Sequence, residues 1–140
     1  MADTAEVVVW TLVDREDAGR VRARLELRLA RPAALVAAKL QSIPTRRGGR
    51  EAKRESDAYD VYRLLQADRV TREISRALAG APGDLGQWCA SNLEELFIHS
   101  ATRTARWIAS VSPDENTEPG DVEALGSIFS EALRTALRMP

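Results

Sequence analysis

The sequence predicts an α+β fold: an N-terminal β-hairpin or partial sheet, then a helical bundle of about five helices. Three observations carry this. Val21, Ala23, Leu25, Leu27 and Leu29 alternate with Arg22, Arg24, Glu26, Arg28 and Ala30, the period of a half-buried strand. From Pro32 onward the apolar residues recur at helical spacing instead. Glycine and proline clusters at Gly48-Gly49, Gly80-Ala-Pro-Gly83 and Pro119-Gly120 mark the breaks between helices.

In order, Glu6 to Val13 is rich in β-branched and aromatic residues and reads as a first strand. Asp14 to Gly19 is a polar turn, and the alternating strand follows it. Two strands alone are marginal in water and need a cover. Pro32 suits a first helical turn. Val36, Leu40 and Ile43 then form one apolar stripe, and Pro44 ends that helix or follows its end. Thr45 to Glu55 reads as a basic, glycine-bearing loop. Ser56 is an expected N-cap for a helix from Asp57 to about Gln66, with Ala58, Val61, Leu64 and Leu65 inward. Asp68 is expected to cap a third helix ending near Gly80. A long helix to about Ser110 follows, its inner face running through Cys89, Leu93, Leu96, Phe97, Ser100, Ala101, Thr104 and Ile108. Asp121 is expected to cap a last helix carrying Val122, Leu125, Ile128, Phe129, Leu133 and Leu137. The whole reads as one domain over residues 1–140, with a β element at 1–31 and a helical region at 32–140.

A chain of 140 residues is long enough to bury a core without staples. Its net charge of -1 supplies no global field toward nucleic acid or membrane. Any anion site must come from local clustering. Cys89 is the only cysteine, so an internal disulfide and a multi-cysteine zinc site are excluded, and a lone thiol fits a reducing cytoplasm. No signal peptide is read at the N-terminus and no run of about 18 apolar residues occurs, so no membrane association is expected.

One constellation stands out. Asp57 and Asp60 are three apart, which on a helix puts both carboxylates on one face. Lys39 lies within Ala-Ala-Lys-Leu, beside an apolar stripe, where it needs a partner or a solvated edge. If the two helices pack, Lys39 meets an aspartate. A structural ion pair fixing helix packing is one reading, and a chemical site is the other.

The segment Pro32-Ala-Ala-Leu-Val-Ala-Ala-Lys-Leu, a basic loop, then Lys53-Arg-Glu-Ser-Asp-Ala-Tyr-Asp-Val-Tyr-Arg-Leu-Leu resembles the nucleotidyltransferase-like toxins of the AbiE type II family, found in bacterial toxin–antitoxin and phage-defence systems. In that family a lysine helix precedes a basic loop and an Asp-x-x-Asp helix. The resemblance implies that the strand Val21 to Leu29 precedes the lysine helix and that the later helices match the C-terminal part of such proteins. It implies that Lys39 contacts nucleotide phosphates, that Asp57 or Asp60 belongs to the active site, and that Arg46, Arg47, Arg50, Lys53 and Arg54 flank an anionic substrate or RNA. Positioned cations are what phosphoryl chemistry needs.

The departure is as specific as the likeness. Family members carry a Gly-Ser or Gly-Gly loop and an Asp-x-Asp pair that hold magnesium ions. No such run occurs in these 140 residues: Gly48-Gly49 precedes an arginine, and Asp14-Arg-Glu-Asp17 has the wrong spacing. A complete relative implies magnesium and a nucleoside triphosphate; the chain alone implies neither. The expectation is the C-terminal portion of such a protein, inactive alone, whose partner is a missing nucleotidyltransferase half or an antitoxin. The alternative is a non-catalytic interaction module docking a partner protein. His99 has no second ligand at metal spacing, and Cys89, Trp10, Trp88 and Trp107 read most simply as packing residues.

Overall fold

The computed structural model describes the backbone of residues 4–13, 21–46 and 48–139, and the side chains of residues 31–46, 48–67 and 71–139. The expected β element falls on residues whose side chains lie outside that description. Their backbone runs as two antiparallel strands, Thr4–Val13 and Val21–Ala30, with Val8 opposite Leu27.

The described side chains build an all-α bundle of six helices: α1 (Pro32–Thr45), α2 (Glu51–Leu65), α3 (Asp68–Ala79), α4 (Leu85–Leu93), α5 (Ala101–Val111) and α6 (Pro119–Arg138). Helix α1 begins with proline at its first position, where a missing N–H costs nothing. Pro44 lies inside its last turn rather than beyond its end. The ring removes the donor owed to Leu40, and the helix stops one residue later. Val36, Leu40 and Ile43 are buried as their spacing required.

Helix α2 starts at Glu51, not at Asp57, and Ser56 is an interior residue rather than its N-cap. Glu51 to Glu55 carry no apolar period, but Glu, Ala, Lys and Arg are strong helix formers and extend the helix back to Arg50. Ala58, Val61, Tyr62 and Leu65 are its buried face. Helix α3 is preceded by Ala67 rather than capped by Asp68. Buried Thr71 donates to the Leu65 carbonyl at 3.0 Å, satisfying an orphan acceptor at the end of α2.

The expected long helix to Ser110 is two helices joined by a π-helical turn, Glu94–His99. There the Ser100 amide bonds to the Glu95 carbonyl at 3.0 Å, five residues back. Thr104 Oγ1 donates to the Leu96 carbonyl at 2.6 Å and fills the acceptor this shift exposes. Helix α6 starts at Pro119; Asp121 sits in its first turn and reaches back to the Glu118 amide at 3.1 Å. Val122, Phe129 and Leu133 are fully buried, whereas Ile128 is 62% exposed and is not a core residue.

One core runs through the six helices, with Phe97, Phe129, Leu40, Leu93 and Ile108 among its largest buried side chains. Helix α2 lies against both α1 and α5, while α6 packs on α3, α5 and the π turn. Gly126 lets α6 approach the turn: a Cβ there would lie 2.7 Å from that of Phe97. Among the described residues no helix is long and apolar enough to cross a membrane.

Candidate functional site

The site lies where α1 packs on α2. The stripe that buries Val36, Leu40 and Ile43 leaves Lys39 on the flank facing α2. Ala58 and Val61 bury the neighbouring face of α2, so Asp57 and Asp60 point back across the same seam. Lys39 Nζ donates to Asp57 Oδ1 at 3.0 Å and to Asp60 Oδ2 at 2.6 Å. The two aspartates and the lysine therefore meet across the seam between α1 and α2.

Asp57 is the hub. It is 1% exposed. Arg46 Nε donates to its Oδ2 at 2.7 Å, and Ser42 Oγ lies 3.1 Å from the same oxygen. Lys53 Nζ stands 3.2 Å from Oδ1, one helical turn ahead of Asp57 on α2. Burial by itself would push the Asp57 carboxyl up. The hydrogen bonds from Lys39 and Lys53, the lysine charge and the Ser42 hydroxyl outweigh it and hold the carboxyl down at about 2. Burial likewise lowers Lys39, but its bonds to Asp60 and Asp57 prevail and raise it above 10.5. Both partners stay charged at neutral pH.

Asp60 differs from Asp57. Its side chain is 44% exposed, and among the described residues Lys39 is the cation it pairs with. Lys53 is 54% exposed, Arg46 25% and Lys39 18%. The cluster thus sets three cations against two carboxylates and presents its surplus positive charge at a solvated edge.

The other basic candidates separate. Arg50 is exposed at the start of α2. Arg54 turns away from Asp57 and lies over the Trp107 ring, 4.6 Å from its centroid. Arg47 lies outside the described residues. Ser42 was not singled out from the sequence, although its position three residues after Lys39 puts it on the same helical face. A second ion pair also had no sequence signal: Arg134 on α6 grips Glu94 in the π turn through contacts of 2.7 and 2.6 Å, with Ser130 Oγ donating at 2.5 Å.

Magnesium does not fit the two aspartates as they stand. The Lys39 ammonium occupies the space between them, and both oxygens of Asp57 are taken by cations. Among the described residues no group of three His, Cys, Asp or Glu side chains is placed to hold a metal. His99 is exposed, and Cys89 is fully buried in the core, where burial pushes its thiol up to about 11.

No protein-family model matches the chain, no curated protein matches it, and no solved structure matches it.

Proposed function

We propose that the chain is a nucleotidyltransferase-like module of the AbiE type II kind, of a toxin–antitoxin or phage-defence system, which contributes a phosphate-binding edge and has no transferase activity alone. The observation that carries this reading is the convergence of Lys39, Arg46 and Lys53 on one buried aspartate, Asp57. A buried carboxylate that holds three cations in fixed places prepares them for an anion, because the ordering cost is met before the ligand arrives. The cations would meet the phosphates of a nucleoside triphosphate; Asp57 would act as their positioning residue. In this reading residues 1–31 are the β element preceding the lysine helix, the bundle is the C-terminal helical part, and the fold class is α+β. The metal-binding carboxylates, with magnesium, would come from a missing nucleotidyltransferase half. An antitoxin is the other protein partner, RNA the acceptor, and the cytoplasm the location.

The alternative reading is a non-catalytic interaction module whose ion network only packs α1 on α2. The near-complete burial of Asp57 favours it. Calorimetric titration with a nucleoside triphosphate separates the two. The proposed reading expects saturable binding that Lys39→Ala weakens at least tenfold while the helical spectrum is kept. Equal binding by both proteins sinks it and leaves the packing role. Transfer of labelled nucleotide by the purified chain, lost in Lys39→Ala, would show that the chain is an enzyme by itself.

A further inference from the structure

We infer a second anion site, distinct from the Lys39 cluster: a pocket on Trp107 that takes the phosphate group of a small phosphoester through Arg54 and Arg103. The pocket is a cavity of about 460 Å³ whose lining includes Arg54 of α2, Asn92 of α4, Glu95 of the π turn, and Arg103 and Trp107 of α5. That is within the ordinary range for small-molecule sites, about 300–1,000 Å³.

Two guanidiniums share a single indole. Arg54 lies 4.6 Å and Arg103 5.1 Å from the Trp107 centroid, both within cation–π range. Stacking leaves the planar N–H fork of each arginine to a hydrogen-bond acceptor, the geometry that matches phosphate. Among the described residues neither guanidinium forms a salt bridge to a carboxylate. Arg54 Nε is shut off from solvent with no acceptor among them. An orphan donor of this kind is left unsatisfied in the pocket, and a small shift of the Arg54 side chain is what opens it to a phosphate oxygen. Among the described residues Arg103 donates only to a hydroxyl, Ser100 Oγ at 2.9 Å. Among the described lining residues Glu95 is the one carboxylate, accepting from that same hydroxyl at 3.2 Å, and two guanidiniums against one carboxylate leave the pocket net positive.

The backbone points to the same place. Glu95 and Leu96, both in the lining, belong to the π turn. Such turns cost helical regularity and occur frequently at functional sites. Here the turn sets Glu95 and Ser100 against Arg103.

The pocket rests on its own arginines and not on the transferase reading, so the two fail separately. The test uses the full chain carrying Trp10→Phe and Trp88→Phe, which leaves Trp107 as the reporter. Inorganic phosphate and adenosine monophosphate are titrated at low ionic strength, with acetate as control. The expected result is a saturable change in indole emission with both phosphates and none with acetate. Arg103→Gln should weaken it at least tenfold, Arg54→Gln likewise, and Arg76→Gln on the exposed face of α3 not at all. Arg103 is exposed, so its variant keeps the test valid if Arg54→Gln fails to fold. Retention of the response in Lys39→Ala supports a separate site. No saturable response, an equal response in Arg103→Gln, or a response lost only in Lys39→Ala overturns the proposal.

Discussion

Replacing Asp57 by asparagine keeps the shape of the side chain and removes the charge on which three cations converge. The carboxyl falls from 3.8 to about 2 on folding. At about 1.4 kcal/mol per pH unit, its ionised form contributes about 2–3 kcal/mol at neutral pH. Asparagine also turns one acceptor into a donor. That NH2 must face either Lys39 and Lys53 or Arg46, all of them donors with no acceptor to offer, and only the Ser42 hydroxyl beside Arg46 can turn to accept from it. The expected loss for Asp57→Asn at pH 7 is therefore about 2–4 kcal/mol. The folded-state pKa is depressed, so the contribution is present above pH 3.8 and fades as pH falls toward 2. Urea unfolding followed by circular dichroism at pH 7 and pH 2.5 reads both values. The gap between wild type and variant should at least halve at the lower pH. A gap under 0.5 kcal/mol at pH 7, far below that expected range, or one independent of pH, would refute the assignment of Asp57 as a buried, charge-held hub.

Asp60→Asn removes a carboxylate that is 44% exposed, so stability should change by less than about 1 kcal/mol. Phosphate binding at the cluster should strengthen, since one negative charge is gone; weaker binding in the calorimetric titration would count against the proposed edge. Glu94→Gln should cost about 1 kcal/mol by urea unfolding, discounted because Glu94 and Arg134 are 25% and 36% exposed. Arg134 and Ser130 hold Glu94 down at about 2 from 4.5, so this difference should be full above pH 4.5 and disappear near pH 2. Gly126→Ala should destabilise by about 1–3 kcal/mol, although alanine favours helix, because its Cβ would overlap that of Phe97; a raised melting temperature would be the contrary result. Cys89 should resist a thiol reagent in the native state and react at the rate of opening, since it is fully buried and its thiol is pushed up to about 11.

The helical part and the members of the trio were legible from short-range spacing, whereas their meeting depends on α1 packing on α2. Two carboxylates three apart share a helical face, and a lysine beside an apolar stripe needs a partner or a solvated edge. What the chain hides leaves little mark on local residue spacing. The π turn at Glu94–His99 shifts the hydrogen bond by one residue and alters no apolar period. Glu94 and Arg134 stand 40 residues apart and carry no local signature. Ile128 sits at helical spacing, yet it is exposed because the face of α6 that reaches the core is centred on Val122, Phe129 and Leu133. The stretch before Asp57 resembles a loop in its charge and a helix in its propensity. Propensity prevails there, since the charges reach outward or to Asp57 without unwinding the backbone.

The start of α2 at Glu51 bears directly on the cluster. Were the helix to begin at Asp57, Lys53 would lie on a loop and its distance to the carboxylate would be unspecified. Continued by one turn and more, the helix fixes Lys53 at i−4 to Asp57, and Nζ comes within 3.2 Å of Oδ1. The same extension carries Arg54 round toward α5 and Trp107 instead of the seam. One helical turn therefore divides neighbouring basic residues between two places, Lys53 to the aspartates and Arg54 to the indole. The two aspartates are unequal for a related reason. Asp57 faces the seam and is saturated by donors, whereas Asp60 lies one turn further toward solvent and, among the described residues, holds Lys39 alone. An incoming phosphate would compete with Asp60 for Lys39 and leave Asp57 in place. In the proposed reading Asp57 orients the cations, and Asp60 is the group that gives way.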